Sequence, residues 1–155
     1  MPIGTSDSGE VEMQIGGVMR VQLVTARPDQ TAAEAIRTML DAGVGSVIVV
    51  DGPEPVGIFT ERDVLRLAGA GASFGTSLLR DVMTPSPLTV SPDVGILDAA
   101  QLMGARNLRH LPVVEGGNLV GIVSIKDVLG FLAERLWSER DEAAHDTARA
   151  LLDRR

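Results

Sequence analysis

Cysteine is absent from the sequence, which excludes a disulfide framework and any thiolate metal site. Aromatic residues make up only 3% of the 155 residues, so the core must be assembled from Val, Ile, Leu, Ala and Met. Basic residues are outnumbered 14 to 21, and the resulting net charge of −7 repels nucleic-acid phosphates over much of the surface. No run of Lys and Arg offsets that balance, so nucleic-acid binding is not expected. The two histidines, His110 and His145, lie far apart and offer no metal-ligand spacing. They have no serine or carboxylate partner in a recognisable catalytic motif, and no G-x-x-x-x-G-K phosphate loop is present. An enzyme is therefore not expected. The opening "MPIGTSDSGEVEMQ" has neither a basic start nor an apolar core, and so reads as no secretory signal. No apolar run approaches the roughly 18 residues that span a bilayer. These absences lead to the expectation of a soluble, cytoplasmic protein with no membrane partner.

What is present is a duplication. Hydrophobic residues at 45% and charged residues at 23% give ordinary globular composition. Pro28 and Pro92, Gly57 and Gly121, and Asp63 and Asp127 all stand 64 residues apart. The same offset relates Val18 and Met19 to Val82 and Met83, Ala35 to Ala99, Met39 to Met103, and "DVL" at 63–65 to "DVL" at 127–129. No gap is needed from Val18 to Leu65. Chance alignment of apolar residues is common, but an ungapped match that includes Pro, Gly and Asp is not, so the chain is a tandem repeat.

Each copy reads in the same order. An extended segment is stopped by proline, which fixes its own φ and constrains its predecessor. From Thr31 to Ala42 the residues Ala32, Ala35, Ile36, Met39 and Leu40 recur at helical spacing, and Val94 to Ala105 is the counterpart. "SVIVVDGPEPVGIFT" and "HLPVVEGGNLVGIVS" are hairpins around turn-forming residues. Second helices start at Glu61 and Ile125. One such unit cannot cover both faces of its own small sheet, so two copies are expected to pack sheet against sheet with helices outside. The expected class is α+β, with two tandem β-α-β-β-α units in pseudo-twofold symmetry and a C-terminal helical extension. The expected boundaries are a flexible tail at 1–14, repeat 1 at 15–69, a linker at 70–79, repeat 2 at 80–133 and the extension at 134–155. In the terminal helix Leu129, Leu132, Leu136, Ala143, Thr147 and Leu151 approximate a three-then-four seam, which suits either a solvated helix or an oligomer or partner contact.

Within each repeat "TERD" at 60–63 and "SIKD" at 124–127 begin the second helix. Two uses share this geometry. A hydroxyl at Thr60 or Ser124 caps the helix, and a carboxylate three residues on reaches back in a capping box, an arrangement worth about 1 kcal/mol. The same helix start offers free N–H groups and a positive dipole end to an anion. The carboxylate, about 4.5 Å further along the axis, can accept hydrogen bonds from two ribose hydroxyls. Gly57 and Gly121 would let a ligand approach the strand closely. The spacing is compatible with both capping and nucleotide binding.

Both repeats, through "VIVVDGPEPVGIFTERDVL", "VMTPSPLTVSPDVGILDAAQLM" and "RHLPVVEGGNLVGIVSIKDVL" at their tandem spacing, resemble a pair of cystathionine-β-synthase (CBS) domains over most of the chain. The resemblance implies two clefts between the repeats that take adenosyl ligands: AMP, ADP or ATP first, with S-adenosylmethionine or NAD as alternatives, and no required cofactor. It assigns Asp63 and Asp127 to ribose and Thr60 and Ser124 to phosphate. Thr25, Ala26 and Val47, with Thr89, Val90 and Leu111, are assigned to the base side. Arg109 and His110, at the start of the second hairpin, are expected to serve the Asp63 cleft, with Arg62 and Lys126 as further cations. The matching first-repeat residues Gly45 and Ser46 are uncharged, so the Asp127 cleft is expected to lack a cation and to bind less well.

The expected function is that of a stand-alone regulatory module that binds an adenine nucleotide and signals through a homodimer or a separate effector. The competing expectation is a ligand-free dimerisation or interaction scaffold.

Overall fold

The computed structural model describes residues 13–152. The expected N-terminal tail falls outside the described residues except at its last two positions. A 3-10 turn at Ile15–Gly17 precedes β1 (Thr25–Ala26), α1 (Ala32–Ala42), β2 (Ser46–Asp51), β3 (Glu54–Thr60) and α2 (Glu61–Gly69). Then come α3 (Leu79–Val82), β4 (Thr84–Pro85), α4 (Ile96–Arg106), β5 (His110–Glu115), β6 (Asn118–Ser124) and α5 (Ile125–Leu152).

Local chemistry accounts for the elements. Thr31 caps α1 in a reciprocal box: the Glu34 N–H donates to Thr31 Oγ1 at 3.2 Å, and the Thr31 N–H donates to Glu34 Oε2 at 2.8 Å. The helix buries Ala32, Ala35 and Met39 and ends at Gly43, whose φ of 65° lies in the left-handed region that glycine enters without steric penalty. Its counterpart α4 buries Ile96, Ala99 and Met103 and ends at Asn107, with φ 52°. Asparagine is among the few other residues that tolerate that region. Both hairpins are antiparallel and carry a register shift at equivalent places, between Val49 and Val50 and between Val113 and Val114.

The repeats exchange their leading segments. The sheet of the first runs β1-β2-β3-β4, and β4 comes from the start of the second repeat. In the second, β5 and β6 are flanked by bridges from Val90 to Val113 and from Arg20 to Ile122. The two Arg20 hydrogen bonds to Ile122 are 2.9 and 3.0 Å. Ile15 is fully buried in the second core and Leu79, its counterpart 64 residues on, is fully buried in the first. Burying each such side chain contributes about 1.5–3 kcal/mol. The packing therefore crosses between the expected repeats, and each is completed by the other's first residues. The segment expected as a linker is likewise committed: Ala72 and Phe74 pack on the first core, and Phe74 accepts a backbone hydrogen bond from Ala33 at 2.9 Å.

This exchange explains the repeated glycine in "VGI". A Cβ at Gly57 would overlap Met83 Sδ, and one at Gly121 would stand 2.6 Å from Met19 Sδ and 3.0 Å from the Arg20 carbonyl oxygen. The bare strand is occupied by a methionine from the exchanged segment, so the expected close approach of a ligand at these glycines is replaced by an inter-repeat contact.

The sheets meet through β3 and β6 with the helices outside. The last helix, α5, has 28 residues and so extends about 42 Å. Its first turns bury Val128 and pack Phe131 and Leu132 on the second core. From residue 133 to residue 146 every side chain is exposed, including Leu136 and Trp137, the latter beneath the Arg140 guanidinium at 5.4 Å. The seam positions Leu129 and Leu136 are exposed, and the side chains of Thr147 and Leu151 lie outside the described residues. No helix among the described residues is long and apolar enough to cross a membrane.

Candidate functional site

Strand alternation places Val47, Val49 and Phe59 in the first core and turns Ile48 and Ile58, of opposite parity, toward the second repeat. Two clefts open along that inter-repeat face. One, of about 340 Å³, is lined by Ser124, Lys126 and Asp127 from the second repeat and by Val24, Gly45, Ser46 and Ile48 from the first. The other, of about 330 Å³, is lined by Thr60, Arg62 and Asp63 from the first and by Asn107, Leu108, Arg109 and His110 from the second. Both volumes fall within the roughly 300–1,000 Å³ range of small-molecule sites. Each cleft joins the helix start of one repeat to the hairpin start of the other.

Both helix starts are capping boxes. Asp63 Oδ2 accepts from the Thr60 N–H at 2.9 Å and from the Thr60 hydroxyl at 3.3 Å, and the Asp63 N–H returns a bond to Thr60 Oγ1 at 3.4 Å. Asp127 Oδ2 accepts from the Ser124 N–H and hydroxyl, both at 2.9 Å, with the return bond at 3.2 Å. Capping thus uses one carboxylate oxygen and leaves Oδ1 turned to its surroundings. There the clefts differ. Asp63 Oδ1 accepts from the neutral Thr84 hydroxyl at 3.3 Å and, at a long 3.5 Å, from Arg66, which is held by the Val82 carbonyl at 2.9 Å. Asp127 Oδ1 is paired with Arg20 Nε at 3.2 Å. Thr84 and Arg20 are counterparts, 64 residues apart on the exchanged segments.

Arg109 and His110 line the Asp63 cleft and also the Asp127 cleft. Burial pushes the His110 imidazole below its ordinary pKa, against the opposing pull of the Glu61 and Asp127 carboxylates; the Arg109 and Arg20 charges add to the lowering. A cation deficit at Asp127 does not follow from the geometry: Arg20, Arg109 and Lys126 all line that cleft, even though Gly45 and Ser46 stand where expected. Arg62 lines the Asp63 cleft and donates to the Asn107 carbonyl at 2.9 Å.

The residues expected beside a base lie outside the lining of the two clefts. Ala26, Val47 and Leu111 are buried in the two cores, Thr25 and Thr89 are exposed, and Val90 is half-buried; none of the six lines either cleft. The apolar walls are Val24, Ile48 and Ile122 on one side and Ile58 and Leu108 on the other. Strand parity gives the reason: a shift of one residue moves a side chain from the cleft to the core. Arg20 and Thr84 were missed because their contacts arise from the exchange, although the 64-residue offset already pairs them. No group of three or more Asp, Glu or His among the described residues is arranged to hold a metal ion.

Comparison with known proteins agrees with this architecture. The family model of the CBS domain matches residues 15–69 and 79–134. An uncharacterized protein of Methanopyrus kandleri is 37% identical over 120 residues, which cover 76% of this chain and 61% of that relative, so the chain spans less than two thirds of the relative's length. Among solved structures, CBSX2 in complex with AMP superposes with a TM-score of 0.69 at 28% identity, over 78% of this chain and 96% of that one. A CBS domain protein from Pyrobaculum aerophilum complexed with AMP gives a TM-score of 0.70 at 25% identity, over 78% and 98%.

Proposed function

The chain belongs to the CBS-domain family, of which it carries two copies, and on that premise we propose that it is a regulatory module that binds an adenine nucleotide between its repeats. The observation that carries the reading is the arrangement of the two clefts, each pairing a hydroxyl–carboxylate helix start with the other repeat's hairpin start. Two structurally similar proteins hold AMP, which supports a nucleoside monophosphate as the first ligand to test.

In this reading Oδ1 of Asp127 or Asp63 accepts the ribose hydroxyls while Oδ2 keeps the helix capped. Ser124 or Thr60 lies on the phosphate side, where the helix start and nearby cations meet an anion. The Asp127 cleft takes the first ligand, because Lys126 and Arg109 line it without an ion-pair partner among the described residues, whereas Arg62 at the Asp63 cleft is held by the Asn107 carbonyl. A bound nucleotide touches both repeats, so it favours whichever inter-repeat arrangement it binds better, and only that difference shifts the equilibrium. A second copy of the chain or a separate effector reads out the shift, and the exposed stretch of α5 with Leu136 and Trp137 is a surface available for it. The protein acts without chemistry of its own, as a soluble cytoplasmic regulator.

Thermal unfolding with AMP, ADP, ATP, S-adenosylmethionine and NAD tests the proposal. Ligand at about 100 times its Kd stabilises by roughly 2.7 kcal/mol, a rise in Tm of about 5–10 °C for this size. A rise with an adenine nucleotide that is clearly reduced in Asp127→Ala is the expected result. No rise with any of the five would leave both helix starts as caps and favour a ligand-free scaffold.

A further inference from the structure

Gly45, Glu61, Arg109 and His110 line both clefts and form the wall between them. The duplication pairs Gly45 with Arg109, Ser46 with His110 and Glu61 with Ile125. The backbone keeps that symmetry: the Glu61 N–H donates to the Gly45 carbonyl at 3.1 Å, and the Ile125 N–H donates to the Arg109 carbonyl at 2.9 Å. The side chains break it. A symmetric wall would carry one arginine for each cleft, whereas here one arginine faces both. The remaining lining cations belong to one cleft each, Arg20 and Lys126 to that of Asp127 and Arg62 to that of Asp63. Arg20 is held by Asp127 and Arg62 by the Asn107 carbonyl, while Arg109 and Lys126 make no ion pair among the described residues; of these two only Arg109 faces both clefts. The Glu61 carboxylate reaches the same wall: a Cβ on Gly45 would stand 3.4 Å from it and 3.6 Å from His110 Nε2.

We propose that the two clefts are negatively coupled for phosphorylated ligands through this shared wall. The first phosphate takes Arg109. A second phosphate then meets the charge of the first and the Glu61 carboxylate without a cation of its own at the wall, and like charges at close range in a partly desolvated cleft repel. The inference rests on the nucleotide reading above and adds to it a stoichiometry: one phosphate-bearing ligand per chain at low concentration, with uncharged nucleosides exempt.

Isothermal titration calorimetry of the full chain with AMP and with adenosine tests the coupling. AMP should show one tight site and a second about tenfold or more weaker, and adenosine should show no such gap. Gly45→Arg places a second arginine on the symmetric position, where the added Cβ makes ordinary contacts with side-chain atoms, and should narrow the AMP gap. Glu61→Gln should narrow it as well by removing the like charge, and it tests the wall independently if Gly45→Arg misfolds. Two AMP sites of equal affinity, an equal gap for adenosine, or a gap unchanged in both folded variants would overturn the coupling and leave the nucleotide reading standing. Absence of binding by AMP and adenosine alike would overturn the nucleotide reading itself.

Discussion

The Asp127 and Asp63 clefts are assembled from corresponding residues 64 positions apart, and their capping boxes are nearly superimposable in chemistry. They differ in what meets the outward carboxylate oxygen, Arg20 at 3.2 Å in one, and the Thr84 hydroxyl with a more distant Arg66 at 3.5 Å in the other. Duplication has preserved the capping boxes that start the second helices, the left-handed ends of the first helices, the register shifts and the methionine-filled glycines, but not the Thr31 cap of α1, whose counterpart in α4 is Gly95. It has diverged at side chains that face the clefts. Among the cleft-lining positions the divergence includes 20 and 84, 45 and 109, 46 and 110, and 61 and 125, each of which changes the charged or titratable group presented. These are positions where backbone geometry imposes little and the charge of a ligand would matter.

The largest expected effects test the shared scaffold. Ile15→Ala and Leu79→Ala each remove a fully buried side chain that one repeat lends to the other, and each should cost about 3 kcal/mol in urea denaturation. A loss below about 1 kcal/mol for Ile15→Ala alone would break the symmetry of the exchange. The glycines sharpen the comparison. Gly121→Ala should cost about 2–3 kcal/mol and Gly57→Ala nearer 1, because the Arg20 carbonyl backs the first position while only the flexible Met83 side chain crowds the second.

Much of this was legible in the sequence, and the remainder was hidden for identifiable reasons. The ungapped offset revealed the duplication, the helix periods and the two hydroxyl–carboxylate starts, because each is written within a short stretch of chain. The exchange was not legible, since nothing local distinguishes an Ile15 that packs on its own repeat from one that packs on the other. Arg20 and Thr84 therefore went unread as neighbours of the carboxylates. Val47 and Leu111 lie beside residues whose side chains do face the clefts or the inter-repeat side, yet their own point into the cores. Fixing that parity needs the strand register, which the sequence pattern of an almost continuous apolar run leaves open.

At the clefts, Asp63→Ala and Asp127→Ala should lose similar stability, about 1 kcal/mol for each cap. They should differ in binding. Losing one charge-assisted ribose contact, about 1.5–3 kcal/mol, should weaken the tight AMP site by roughly 10- to 100-fold in Asp127→Ala, whereas Asp63→Ala should affect mainly the weaker site in calorimetry. The smallest effect concerns pH. His110 titrates below 6.5 because of burial, so its contribution to stability is fully present above about pH 6.5 and is lost as pH falls through the lowered folded-state value. His110→Gln should remove that component, giving a shallower acid-side fall in Tm than the wild type, and an unchanged slope would contradict it.

The most direct test of the central claim is a crystal structure of the protein grown with AMP. Ribose hydroxyls should sit on Oδ1 of Asp127 and the phosphate beside the Ser124 helix start and Arg109, with the Asp127 cap intact. AMP bound outside both clefts, or absent at saturating concentration with each carboxylate engaged only by its present partners, would contradict that claim.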